Sequence, residues 1–397
     1  MKKKIKNGIL TFLLVIFKYH LKITYFFIKL FTVRKNRVFL LSRQFDFVPL
    51  NYELLIKGLN KDGIETKVIC RKVSTGLNAV IRNEKKKTNI FKELLSIVGY
   101  YFNLYKQMHY CATSKVIIVD GYNITVSLLK HKTNTKVIQL WHALAAIKKF
   151  GYQTIGYEDG LNPKTAKLLH MHDNYDYVIS GSIAMNKYFA EAFNVPIEKM
   201  VAIGTPVCDY LINGNDKEVK KLYKKYPELK KKVNVLYSPT FRSDDRDNTE
   251  EVIEKFDTDK FNLILTFHPK NSEVKTNKNI ICVDRNEFMT FDVLRVVDYV
   301  ITDYSALSID ACVLNKKVIL YLYDYEQYEK ENGINIDLFK ELEGNVYKKF
   351  DDIVKLLDKN AYNEKSFKSF RKKYSGEIDG HSTEKLIKLI KECLWKR

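Results

Sequence analysis

The stretch "VDYVITDYSALSIDACVLNKKVILYLY", Val297 to Tyr323, decides the reading of the whole chain. A β-branched run ends in Asp303-Tyr304-Ser305. A short helical segment, Ser308 to Asn315, follows, and a second apolar run, "KVILYLY" (Lys317 to Tyr323), closes the unit. Apolar runs without alternation mark strands covered on both faces, and a helix between two of them makes a parallel βαβ unit.

The same alternation extends in both directions. Upstream in the second half lie "VNVLYSPT" (233–240), "FNLILTFHP" (261–269) and "NIICVD" (279–284), with helices expected near 250–256 and 287–295. The first half holds "RVFLLS" (37–42), "TKVIC" (66–70), "KVIIVDG" (115–121), "KVIQLW" (136–141), "YDYVISGS" (175–182) and "MVAIG" (200–204). Helices are expected there near 52–60, 90–109 and 183–193. Further helices fit 351–357 and 383–395. The charged segment 217–232 divides the two runs and is expected to bridge them. A chain of 397 residues exceeds one ordinary core. Two successive doubly wound α/β domains, 35–215 and 216–397, are the simplest architecture, with ligands at the carboxyl ends of the strands.

Residues 1–34 form a separate unit. The polar residues Asn7, Thr11, Lys18, Lys22 and Lys29 recur at intervals of 4, 7, 4 and 7. On a helix they share one stripe, and aromatic and aliphatic residues cover the rest. The longest uncharged stretch, Gly8 to Phe17, falls short of the roughly 20 residues that span a bilayer. The expectation is an amphipathic helix lying in the membrane plane, its lysines reaching phosphate headgroups. A helix docked on the protein's own core and a true span are the alternatives.

Lys and Arg number 67 against 47 Asp and Glu, a formal net charge of +20. Such a surplus calls for an anionic partner: nucleic acid, an anionic membrane face or phosphate-bearing substrates. The basic residues are spread out, with no nucleic-acid recognition motif. The six cysteines are scattered without C-x-x-C spacing, which reads as reduced thiols in a cytoplasmic protein. No P-loop, G-x-G-x-x-G or metal-binding motif occurs, so no cofactor and no metal are expected.

Four strand ends carry polar groups where such folds present ligands. They are Trp141-His142, Ser238-Pro239-Thr240-Phe241-Arg242, His268-Pro269-Lys270 and Asp303-Tyr304-Ser305 through Ser308. Ser305 or Ser308 is placed to cap the helix that follows, leaving backbone N–H groups toward an anion. His142 and His268 end strands of separate domains, and imidazole titrates near neutral pH, so the pair suits acid–base work across a cleft.

Taken together, "QLWHALAAIKKFG", "YSPTFR", "FHPK", the opening stretch continued to "YEQYEKENG", and "GEIDGHSTEKLI" resemble the CDP-glycerol glycerophosphotransferase family of teichoic-acid biosynthesis. The resemblance covers roughly residues 36 to 393. Its first block is closer to the short primase-type members than to the long polymerases. The resemblance implies a GT-B-like fold with the active site between an acceptor domain (35–215) and a CDP-polyol donor domain (216–397). It implies transfer of glycerol phosphate from CDP-glycerol to an undecaprenyl-pyrophosphate-linked saccharide acceptor at the cytoplasmic face of the membrane, releasing CMP. By motif, His142 matches the general base and His268 the second histidine, near the donor pyrophosphate. Arg242, Thr240, Asp303, Ser305, Ser308 and Asp310 fall in the donor blocks. Lys148 and Lys149, with Lys18, Lys22 and Lys29, are candidates for contact with the acceptor or the membrane. CDP-ribitol as donor, a glycosyltransferase using a nucleotide sugar, and a nucleic-acid binder are the rival readings.

Overall fold

A computed structural model describes residues 2–72, 90–157, 160, 162–214, 216–240, 248–267 and 279–395. The alternation of the sequence becomes two six-stranded sheets. The first comprises β1 (Lys35–Ser42), β2 (Glu65–Cys70), β3 (Ser114–Val119), β4 (Lys136–Gln139), β5 (Tyr177–Ser180) and β6 (Met200–Ala202), in the order β2-β1-β3-β4-β5-β6. The second comprises β7 (Val233–Tyr237), β8 (Phe261–Phe267), β9 (Ile280–Asp284), β10 (Tyr299–Thr302), β11 (Lys317–Tyr321) and β12 (Val346–Tyr347), in the order β12-β11-β10-β7-β8-β9. Every pairing is parallel. All eleven apolar runs read from the sequence are strands; only the two-residue β12 had no run to mark it.

The helices used below are α1 (Lys2–Leu30), α2 (Leu50–Lys61), α3 (Ile90–Thr113), α4 (Ile183–Phe193), α5 (Pro206–Asn213), α6 (Leu307–Val313), α7 (Tyr325–Asn332) and α8 (Ser382–Trp395). Side-chain alternation sends β1 into two cores. Phe39 and Leu41 join a core with Leu21 and Tyr25 of α1 and Met108 of α3. Val38 and Leu40 join another with Tyr52 and Leu55 of α2 and with Leu386, Ile390 and Leu394 of α8. Burial on both faces explains why the strands read as unbroken Val/Ile/Leu runs. It also shows where α8 belongs. Although it follows the second sheet in sequence, it packs on the first, and the carboxylate of Asp209 in α5 accepts from the amides of Ser382 and Thr383 at its start (2.7 Å each). Residues 382–395 therefore pack with the sheet of residues 35–202 rather than with their expected companions in 216–397.

The strand orders fix where crevices open. In the second sheet β7 and β10 are neighbours whose connections leave in opposite directions, and in the first sheet β1 and β3 play that part. Ligands of doubly wound folds sit outside the carboxyl ends at such points.

The two sheets are joined by an antiparallel contact of extended segments. Lys149 N donates to Gly333 O (3.0 Å) and Asn335 N to Ile147 O (2.8 Å), with Lys148 bridging to Ile334. The Asn335 carboxamide adds bonds to Ala146 O (2.9 Å), Lys148 O (3.2 Å) and Gln153 Oε1 (3.1 Å), and accepts from Gln153 Nε2 (2.8 Å). Truncating Asn335 strips two carbonyls of a donor; an unsatisfied buried polar group costs about 1–3 kcal/mol. Asn335→Ala is therefore expected to lower the calorimetric melting temperature by several degrees and to separate the melting of the two sheets. An unchanged single transition rules out this contact as the coupling element.

Candidate active site

β4 ends at Gln139, and the chain leaves it through a left-handed residue, Trp141 (φ 54°). That conformation costs a side-chain-bearing residue roughly 1–2 kcal/mol. It is held by Gln139, whose side chain accepts from Trp141 N (3.0 Å) and donates to Gly121 O (3.3 Å). The indole turns inward, stacked on Phe150 (centroids 4.7 Å) and edge-on to Phe193 (5.2 Å). The next residue, His142, is solvent-exposed, with its ring beside the indole (centroids 4.0 Å).

His142 Nδ1 donates to the backbone carbonyl of Asp120 (3.2 Å), just past the end of β3. A carbonyl only accepts, so Nδ1 carries the hydrogen and Nε2 of the neutral ring keeps its lone pair. The ring reaches solvent yet stands deep among protein atoms. That desolvation lowers its pKa, the Asp120 carbonyl opposes the shift, and the Lys148 charge adds to it. The Asp120 carboxylate itself is buried, and burial raises its pKa to about 6.

The segment after His142 is clamped on three sides. Gly181 N donates to Leu144 O (3.1 Å), and a Cβ on Gly181 would come within 2.6 Å of that oxygen. Gly151 adopts φ 57°, and a Cβ there would approach Ala192 O at the end of α4 to 2.2 Å. The contact with Gly333–Asn335 is the third side. Lys148 and Lys149 accordingly lie on extended backbone and not on a helix. They form the edge of the contact between the sheets, and Lys149 Nζ donates to Tyr157 Oη (2.9 Å). Backbone pairing with residues 333–335 holds them extended.

In the second sheet the β7/β10 crevice is tied by Thr240 and Asp303. Asp303 is buried, and its Oδ1 accepts from Thr240 N (2.9 Å) and Thr240 Oγ1 (2.6 Å). Ala306, the residue before α6, offers no side-chain cap, but the Ser305 hydroxyl takes the first helical amide, and no row of open amides is left. Leu307 N donates to Ser305 Oγ (3.3 Å), and Ser308 N and Oγ donate to Ser305 O (3.2 and 2.9 Å). The turn closes on itself because a serine two residues ahead of the helix reaches those amides first. Ser305 keeps its own O–H for another acceptor. Asp310, one turn into α6, has its pKa raised to about 7 by burial, close to Cys208 of α5. His268 and Arg242 lie outside the described residues.

The lysines of α1 lie beside loops of the first sheet. Lys18 Nζ donates to His170 Nε2 (3.1 Å) and Lys29 Nζ to Lys130 O (2.6 Å), while Lys22 lines a recess beside the same loops. The first sheet's loops thus supply acceptors to Lys18 and Lys29. The outward face carries Phe12, Leu13, Ile16, Tyr19, Ile23, Phe26 and Phe27, each more than half exposed. Of the six cysteines, Cys111, Cys208, Cys312 and Cys393 are buried, Cys70 is half-buried and Cys282 is exposed.

Asp120, Gln139, Gln153 and Asn335 had not been singled out from the sequence. "VDG" at the end of β3 carried a usable signal, a polar residue at a strand end beside the crevice. Asn335 carried none, since its partners lie more than 180 positions away.

Comparison with known proteins follows this geometry. The family model of CDP-Glycerol:Poly(glycerophosphate) glycerophosphotransferase matches residues 25–392. A teichoic acid poly(ribitol-phosphate) polymerase of Bacillus spizizenii is 28% identical over 91% of this chain, which spans 57% of that protein's length. The teichoic acid glycerol-phosphate primase of Bacillus subtilis is 27% identical over 74% of this chain and 77% of its own. The ribitol-phosphate primase of Bacillus spizizenii is likewise 27% identical, over 76% and 81%. Among solved structures, the wall teichoic acid polymerase TagF soaked with CDPG superposes with a TM-score of 0.68 at 17% identity, covering 91% of this chain and 90% of that one. That likeness shows the GT-B-like pairing of two parallel sheets. The chain belongs to the CDP-glycerol:poly(glycerophosphate) glycerophosphotransferase family, the polyol-phosphate transferases of teichoic-acid synthesis.

Proposed function

We propose that this protein transfers glycerol phosphate from CDP-glycerol to a hydroxyl of a lipid-linked acceptor, with His142 as general base. The observation that carries the reading is the tautomer of His142: Nδ1–H held by the Asp120 carbonyl, Nε2 unprotonated, at an exposed strand end. The acceptor O–H gives its proton to Nε2 as the oxygen attacks the β-phosphorus of the donor. The bond from that phosphorus to the bridging oxygen breaks, and CMP leaves with the electron pair. Transfer of this kind depends mainly on positioning and electrostatics.

Residues 35–215 supply the acceptor side in this reading, and residues 216–380 the donor side. Thr240 and Asp303 shape the crevice for the nucleotide, the Ser305 hydroxyl offers its proton to a phosphate oxygen, and Ser308 and Asp310 brace that turn. Arg242 and His268 are assigned by motif to the charge that grows on the departing CMP. Ribitol phosphate from CDP-ribitol is the second reading. Relatives named for each polyol stand at nearly the same identity, which favours neither.

The outward face of α1 rests in the acyl boundary of the cytoplasmic leaflet, where a lipid-linked acceptor is met. The segment Thr11–Leu30 is apolar enough for that environment, with a mean hydropathy of 1.4.

Four outcomes test these assignments. Mass spectrometry of a short-lipid acceptor incubated with CDP-glycerol or CDP-ribitol should show a glycerol-phosphate increment; a ribitol increment exchanges the two readings, and no increment with either removes both. General-base help is typically worth about 10²–10⁴-fold. His142→Ala should lower kcat by that order with donor affinity kept. Because the base acts neutral, turnover should fall on acidification, with an inflection below the usual histidine value of about 6.5. An inflection above that value, or near-normal turnover of the alanine variant, eliminates His142 as the base. Replacing Ile16 and Ile23 by Asp should release the protein from vesicles without changing its melting temperature, since both side chains are exposed.

A further inference from the structure

The arrangement of α1 divides it lengthwise. At about 100° per residue, Lys18, Lys22 and Lys29 fall within one strip roughly 40° wide. On one flank Leu21 and Tyr25 are buried in the first sheet's core. On the other, Tyr19, Ile23 and Phe26 are each more than half exposed. The lysines therefore mark the seam between the part of the helix the protein covers and the part it leaves bare.

Behind the seam lies a recess of about 460 Å³, walled by Lys22, the loop around Lys130 and Lys132, the turn His170–Asp176, and Lys199. Its two carboxylates are engaged. Asp173 accepts from His170 Nδ1 (2.9 Å), and Asp176 accepts from Lys136 Nζ (3.0 Å) and Val137 N (2.9 Å). Lys132 donates to Thr32 O and Lys199 to Tyr175 O (2.6 Å). No hydrogen bond from the ammonium of Lys22 or Lys130 is found among the described residues. Partial desolvation and neighbouring cations hold Lys18, Lys29 and Lys132 below the usual lysine range. Cations gathered in a concavity with too few carboxylates are relieved by an anion. The recess borders the bare apolar strip, so it lies at headgroup level when that strip meets acyl chains.

We propose that this recess binds the phosphate of an anionic membrane phospholipid, with Lys22 and Lys130 as its donors. The site rests on the membrane reading of α1 and is independent of the transfer chemistry.

The test compares the full-length protein with two double variants of equal charge loss. One is Lys22→Ala with Lys130→Ala; the other is Lys220→Ala with Lys224→Ala, two exposed lysines on the helix Asp216–Lys225. Binding is measured by flotation with vesicles of phosphatidylcholine alone, with added phosphatidylglycerol, or with added polyprenyl pyrophosphate, and folding by thermal melting. The expected result is at least a tenfold loss of phosphatidylglycerol binding in the recess variant, less than twofold in the control, and unchanged melting in both. Equal loss in both variants overturns the site in favour of diffuse charge attraction. Wild-type binding by the recess variant overturns it outright. Loss confined to polyprenyl pyrophosphate vesicles transfers the recess to the acceptor and overturns the phospholipid assignment. A protein that transfers no polyol phosphate yet shows the recess effect fails only as a transferase.

Discussion

The contact between residues 146–149 and 333–335 is the interaction on which the rest of the molecule depends. Parallel sheets end in loops, and a loop alone would leave an imidazole free to wander. Here the loop that carries His142 has its backbone paired to a segment delivered by the other sheet. The pairing is of main-chain groups, so it fixes spacing without demanding particular side chains, except at Asn335. That residue meets the two carbonyls the ribbon does not reach and closes a reciprocal amide pair with Gln153. The placement of His142 and the relation between the two sheets are thus one structural problem with one solution.

Much of this was legible in the sequence, for identifiable reasons. Strands buried on both faces must be continuous in Val, Ile and Leu, so "KVIIV" and "YVIT" announce themselves. A polar residue that ends such a run must lie at the mouth of a crevice, so His142, Thr240 and Asp303 stood out. What could not be read is what depends on distant partners or on backbone sign. Nothing local to "LWHAL" says that Trp141 is left-handed, because its stability comes from Gln139 and from the Phe150 and Phe193 rings. Which of Ser305 and Ser308 takes the helix amide followed the same logic: residue type indicated a polar turn, but the choice of Ser305 is decided by a shift of one or two positions. The stripe of α1 was visible as a period, while the face that the protein would cover was not, since that depends on where α3 packs.

Charge is distributed with a purpose that the net value conceals. Many exposed lysines make ordinary surface pairs, such as Lys255 with Glu251 and Asp351 or Lys260 with Asp358. Pairs of this kind contribute little to stability. The surplus matters where carboxylates are too few, under α1, and beside His142, where the Lys148 charge favours a neutral imidazole.

The return of α8 to the first sheet reaches into biosynthesis. During translation, the face of that sheet bearing Val38, Leu40, Val116 and Ile118 is covered only in part, by α2, until residues 382–395 have left the ribosome. The first-made half therefore completes this core only when the second has been made, and until then part of an apolar face stays exposed, the kind of surface that makes a nascent chain prone to aggregate.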